Sequence, residues 1–155
     1  MHTSEVPAIY VTHDQEEAFA IADRIALLHE GRIVQAGTPV EVFAHPASAW
    51  IANFLGLGNV IEGKWLGRGK VETKLGILEV NCETDATMGE TVALLIRPER
   101  VKLIENGKGL KGRVADILFQ KNGFRVTLED GLYLYTSTPP QTGEPITFKV
   151  EAECL

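Results

Sequence analysis

The chain has 155 residues, 45% hydrophobic and 23% charged, with a formal net charge of −6. Such a balance supports at least one buried core, in one domain or two small ones, and does not describe a disordered chain. An acidic chain offers no attractive field to nucleic acid or an anionic membrane surface, and no apolar run is long enough to span a bilayer, so neither nucleic-acid binding nor direct membrane insertion is expected.

The first residues lack a signal-peptide core. Cys82 and Cys154 are isolated thiols without CxxC spacing, and a reducing cytosol is the simplest compartment for them.

Ala8 to Val11 is a short apolar, β-branched run after Pro7, the pattern of a strand buried on both faces of a parallel sheet. A helix pattern follows at once. Thr12 or Asp14 can cap it, and Asp14, Glu16 and Glu17 suit its positive N-terminal end. Ala18, Ile21, Ala22 and Ile25 share one face, and Asp23-Arg24 ends the helix. Ile25 to Leu28 and Arg32 to Gln35 form a strand pair around His29-Glu30-Gly31. Thr38-Pro39 opens a second helix with Thr at N-cap, Pro at N1 and Glu41 in the first turn. Pro46 interrupts it, and Ser48 starts a last short helix carrying Trp50, Ile51, Phe54 and Leu55.

Beyond Gly56-Leu57-Gly58-Asn59 helical periodicity stops. Residues 1–57 and 58–155 are therefore expected to be separate domains. Strands are expected at Val60 to Trp65, Lys70 to Thr73, Gly76 to Val80, Thr91 to Ile96, Leu110 to Phe119, Phe124 to Leu128, Tyr133 to Ser137 and Ile146 to Glu151. Lys121-Asn122-Gly123 and Glu129-Asp130-Gly131 have turn chemistry. The fold class is α+β: a short α/β part, then an all-β unit of the small OB-like barrel type. An OB-fold that binds nucleic acid has a basic groove with exposed aromatics, and here aromatics are 7% and the balance is acidic.

His13 lies at the end of the first apolar run, just before a helix. At the carboxyl end of a parallel strand such a group faces the crevice where α/β proteins place ligands, and its imidazole can hydrogen-bond a phosphate and an attacking water. The plainer reading is a histidine in a loop or helix cap. Sequence pattern leaves both open.

The stretch "YVTHDQEEAFAIADRIALLHEGRIVQAGTPVEVFAHPASAWIANFLG" resembles the C-terminal end of the nucleotide-binding domain of ABC importer ATPases, in particular those serving sugar, polyamine, ferric-iron and oxyanion uptake. The match runs without a gap from Ile9 to Gly56. "ALLIRPERVKLI", Ala93 to Ile104, resembles the Ile-Arg-Pro-Glu segment of the TOBE domain, the β-rich regulatory domain of such subunits.

The resemblance implies that His13 is the switch histidine of the full-length subunit. It also implies ATP and magnesium as that subunit's cofactors, transmembrane permease subunits and a second copy of the chain as partners, and a cytoplasmic position peripheral to the membrane. The family's phosphate-binding loop, Leu-Ser-Gly-Gly-Gln segment and apolar strand ending in Asp-Glu are absent from this sequence. "EGKWLGRGKVE", Glu62 to Glu72, has the wrong spacing for a phosphate loop and reads as a hairpin. The chain is thus expected to be a C-terminal part that binds no cofactor and does not hydrolyse ATP alone.

Other candidates are regulatory or interfacial. Arg97 and Glu99 flank Pro98, where Arg97 can bind an anion or a partner subunit, or pair locally with Glu99. Trp50 and Phe54 share a helical face suited to core or interface packing. His2, His13, His29 and His45 show no metal-ligand spacing.

"NGKGLKGRV", Asn106 to Val114, resembles a strand of oxyanion-binding β domains. Leu103-Ile104-Glu105 replaces the Ser-Ala-Arg expected before it, and Glu105 repels an oxyanion. The alternative to a regulatory and dimerisation part is a ligand-sensing β domain that binds the transported solute or an inhibitory protein.

Overall fold

A computed structural model describes residues 7–82, 84–105, 107–121 and 123–155. His2, Asn106 and Asn122, named above, lie outside the described residues. Two compact units divide at His45 and Pro46, ahead of the joint read from the sequence.

In the first unit, helix α1 (Gln15–Ile21) is capped by Asp14, whose side chain accepts from the Glu17 N–H at 3.0 Å. Strands β1 (Ile25–His29) and β2 (Arg32–Gly37) form an antiparallel hairpin. Its turn residues Glu30 and Gly31 have φ of 48° and 75°, the doubly left-handed geometry that matches strand twist and suits Gly at the second position. Register shifts between Leu27 and Leu28, so Val34 is the extra residue of a bulge.

Helix α2 (Pro39–Ala44) starts in a full capping box. The Glu41 N–H donates to Thr38 Oγ1, and the Thr38 N–H donates to Glu41 Oε2 at 2.8 Å. The bond from the Thr38 N–H, followed by the interaction with the Thr38 hydroxyl, stabilises the Glu41 carboxylate and holds its pKa below the ordinary glutamate value. Ile25, Leu27 and Val42 are buried.

The expected strand at Ala8 to Val11 does not form. The segment is unpaired, with Ile9 97% and Val11 89% exposed. A doubly buried strand needs hydrogen-bonding neighbours on both sides, and no described strand supplies one.

In the second unit, helix α3 (Ala49–Phe54) is capped by Ser48, which accepts from the Ile51 N–H. The strands follow: β3 (Asn59–Gly67), β4 (Lys70–Thr73), β5 (Gly76–Glu79), β6 (Thr91–Ile96), β7 (Lys102–Leu103), β8 (Leu110–Gln120), β9 (Gly123–Leu128), β10 (Tyr133–Thr136), β11 (Pro145–Lys149) and β12 (Ala152–Cys154). They form two five-stranded antiparallel sheets, in orders β12-β6-β3-β4-β5 and β10-β9-β8-β11-β7. The sheets curl around a shared apolar core that includes Trp65, Leu94, Val126, Leu134 and Phe148, giving the OB-like small barrel and the α+β class expected.

Alternation sets which residues enter the core. In β3, Asn59, Ile61, Gly63 and Trp65 are buried while Glu62 and Lys64 are exposed. Gly63 is glycine for space: a Cβ there would lie 2.4 Å from Val71 Cγ1 and 2.7 Å from the Glu72 carbonyl oxygen. In β6, Leu94, Leu95 and Ile96 are all buried, which breaks alternation. Leu95 packs with Ala52 and Leu57 instead of the barrel core, because α3 covers that side of the strand.

Two elements escaped the sequence reading. β7 is too short to show a pattern, and β12 follows directly on β11. The thiols are not isolated either: Cys82 and Cys154 form a disulfide, with Cα atoms 5.6 Å apart, across 72 residues of sequence. β12 and β5 are opposite ends of one sheet, and only its curling, marked by the bridge between Val80 and Ala152, brings β12 beside the segment after β5, so spacing along the chain gives no sign of it.

Asn59 joins the two sheets. Its amide nitrogen donates to the carbonyls of Ile96 (3.1 Å) and Tyr133 (2.9 Å), and its amide oxygen accepts from the Tyr133 N–H (2.8 Å). Asn59→Ala leaves these groups without partners and is expected to cost about 2–4 kcal/mol in urea melts. A loss under ~1 kcal/mol would show that water replaces the bridge.

Candidate functional site

The segment before α1 is tied to the first turn of that helix. The Glu17 carboxylate accepts from the Tyr10 hydroxyl at 3.1 Å and the Thr12 hydroxyl at 3.3 Å, and Thr12 Oγ1 accepts from the Asp14 N–H at 3.0 Å. The bond to Glu17, followed by its negative charge, raises the Tyr10 pKa above the usual phenol value. His13 sits within this bracket and is exposed. The sequence therefore folds locally to present an imidazole ahead of a capped helix. It does so on an unpaired segment, not at the edge of a parallel strand.

These residues do not make a triphosphate site by themselves. Around His13 the near-sequence charges are Asp14, Glu16 and Glu17, all of the wrong sign for phosphate. Among the described residues no cluster of three or more His, Cys, Asp or Glu is placed to hold a metal. By themselves these donors do not fit ATP and magnesium.

Arg97 lies in the second unit at the end of β6 and is 4% exposed. Its Nε is 3.2 Å from Glu153 Oε1 and its Nη2 is 3.5 Å from Glu153 Oε2. Arg100 contacts the same carboxylate from the 3-10 turn Pro98–Arg100. The carboxylate that meets Arg97 thus comes from β12 of the same chain, a partner that no local reading could supply.

Burial raises the pKa of Tyr133 above the usual phenol value, and Glu99, exposed in the same turn, adds its charge to that effect. Burial is the larger cause there, with Tyr135 next and Arg125 opposing. The Arg125 guanidinium carbon lies 4.0 Å from the Tyr133 ring centroid.

Trp50 and Phe54 stack on α3, with ring centroids 4.9 Å apart and planes 11° from parallel. Trp50 is half-buried and Phe54 is 46% exposed. The structure brings Arg97 and Glu99 into one turn region and Trp50 and Phe54 onto one helix. His13 belongs to the other unit.

Asn59 and Glu153 were missed as key residues. For Asn59 a signal existed, since it occupies an inward position two residues before Ile61. A shallow depression on the β unit is lined by Glu62, Gly63, Lys64, Glu72, Thr73, Lys74 and Thr91. Its paired carboxylates and ammonium groups give no field of one sign for either an anion or a cation.

No family model matches the chain. Individual relatives do. The spermidine/putrescine import ATP-binding protein PotA of Mycoplasma genitalium is 41% identical over 102 residues, covering 65% of this chain and 18% of that protein. PotA 1 of Pseudomonas aeruginosa is 37% identical over 156 residues, covering 95% of this chain and 42% of that protein. The Fe(3+) ions import ATP-binding protein FbpC of Streptomyces coelicolor is 41% identical over 119 residues, covering 77% and 33%. The chain spans less than half the length of each of these curated relatives. Over most of its own length it is homologous to ATP-binding subunits of ABC importers, as its motifs imply.

The ion cluster makes a graded prediction. Glu153→Gln leaves the buried Arg97 without its carboxylate and is expected to cost about 2–4 kcal/mol. Arg100→Ala removes a side chain that is 45% exposed and should cost less than ~1 kcal/mol. Parallel urea melts give both values, and equal losses would place the energy in the exposed pair.

Proposed function

We propose that this chain, related to ABC importer ATP-binding subunits, is the regulatory and dimerisation part of such a subunit, which as a longer protein couples ATP hydrolysis to solute uptake. The observation that carries the reading is the similarity to PotA and FbpC sequences over 65–95% of the chain, reaching across both compact units. In the longer protein His13 is the switch histidine. It hydrogen-bonds the terminal phosphate and attacking water once the missing phosphate-binding elements stand beside it. ATP and magnesium belong to that assembled site. The chain alone does not hydrolyse ATP.

The subunit works at the cytoplasmic face of the membrane, held there by transmembrane permease subunits. No helix among the described residues is long and apolar enough to cross a membrane. The β unit serves as the dimer-forming part. Ile9, Val11 and Phe54, all exposed, favour burial against other surfaces.

Two measurements test this reading. His13→Ala in this chain is expected to change unfolding free energy by less than ~1 kcal/mol, because an exposed loop side chain has few contacts to lose. In the longer protein the same change should sharply lower ATP turnover while leaving nucleotide binding nearly intact, the signature of a group acting mainly in the transition state. Unchanged turnover overturns the switch assignment.

Sedimentation of the chain at tens of micromolar (roughly where a standard interface is populated) is expected to show a dimer. A clean monomer overturns the dimerisation role. A solute that raises the melting temperature would assign the β unit to ligand sensing instead.

A further inference from the structure

The sheet β12-β6-β3-β4-β5 has two open ends, β12 and β5, and very little joins them. Among the described residues, a single bridge outside the named strands pairs Val80 with Ala152. Two residues further along each segment, Cys82 and Cys154 are covalently linked. β12 itself is only three residues long and pairs with one full strand, as Ala152 with Ile96, Glu153 with Leu95 and Cys154 with Leu94. All three of its residues are half-buried, as is Cys82, so a small displacement admits a thiol reagent.

Between the bridged Ala152 and the linked Cys154 stands Glu153, the carboxylate on the buried Arg97. The position of one short strand therefore decides three things together: closure of the sheet, burial of Arg97 and the contact of Arg100.

We propose that Cys82 and Cys154 form a reversible thiol latch that fixes β12 on the barrel and, through Glu153, keeps Arg97 covered. In the reduced state β12 keeps its short ladder, the Val80 bridge, the ion pairs and the packing of Ala152 and Cys154 on the core but loses its covalent tie, so it opens more often, presenting the Arg97 guanidinium to solvent. Oxidation closes it. With oxidised glutathione as oxidant, one protein thiolate attacks the glutathione disulfide and releases a glutathione thiolate. The second protein thiolate attacks the mixed disulfide and releases another. Two electrons pass to glutathione, and the two thiol protons end on the two glutathione thiols. The link closes a 72-residue separation, so it also removes many unfolded conformations.

The test uses the whole chain equilibrated in a series of glutathione redox buffers, then alkylated and weighed under denaturing, non-reducing conditions. Amide hydrogen exchange is followed in parallel. The expected result is one transition between an unalkylated intramolecular disulfide and a doubly alkylated dithiol. On reduction, exchange at 152–154 and at Val80 should rise by at least about tenfold while β8 and β9 stay protected. The melting temperature should fall by about 10 °C.

Cys82→Ser and Cys154→Ser should each show the reduced pattern in every buffer. Four results overturn the proposal: alkylation of both cysteines at every buffer ratio, a disulfide that joins two copies of the chain, a bond that no glutathione buffer opens, or exchange at 152–154 that ignores the redox state.

Discussion

One buried amide holds the β unit together. Asn59 sits at the start of β3 with its side chain turned inward, where it donates to strand β6 and exchanges bonds in both directions with Tyr133 of β10. Those strands belong to different sheets, and apolar packing alone would leave their relative register free. A buried amide allows no such freedom, because each unmet donor or acceptor costs roughly as much as a hydrogen bond is worth. With Asn59 in place, the end of β6 that it holds at Ile96 delivers the adjacent Arg97 to β12, and Leu95 to the surface that α3 covers.

That arrangement explains why α3 belongs with the barrel although its sequence resembles the end of a nucleotide-binding domain. Ala52 and Leu57 bury against Leu95, so the helix supplies a lid that the outer side of β6 requires. The first unit has no comparable cover. Its buried residues are few, while Ile21, Leu28, Ile33, Val40 and Phe43 are exposed. Such a unit has the caps and turns of a well-specified structure but little apolar burial of its own, so its elements depend on local chemistry to a degree the barrel does not.

Local chemistry is also what made the sequence legible. Asp14, Thr38 and Ser48 cap their helices as their neighbours indicate, Glu30-Gly31 closes its hairpin, and the alternation in β3 shows which face is buried. These features need only residues a few positions apart. The Ala8 to Val11 run failed for the complementary reason: a buried strand is a statement about neighbours, and its letters cannot say whether neighbours exist. The Glu153 contact to Arg97 and the linkage of Cys82 to Cys154 join points 56 and 72 residues apart; the sheet order makes the first pair adjacent, and the meeting of the sheet's two ends the second. His13 was legible as a residue type in a motif. Its surroundings were not, because the bracket formed by Tyr10, Thr12 and Glu17 arises only once the chain turns into α1.

The stacked pair on α3 gives the molecule a built-in optical contrast. Its two tryptophans lie in opposite surroundings: Trp65 is 9% exposed in the barrel core, and Trp50 lies half-open against Phe54. Red-edge emission and quenching by a dissolved ion should therefore come mainly from Trp50, and the blue, shielded component from Trp65. A surface that settles on α3 will change the first signal and leave the second untouched, so the fluorescence of the unlabelled chain can distinguish an event at its helix from an event in its core.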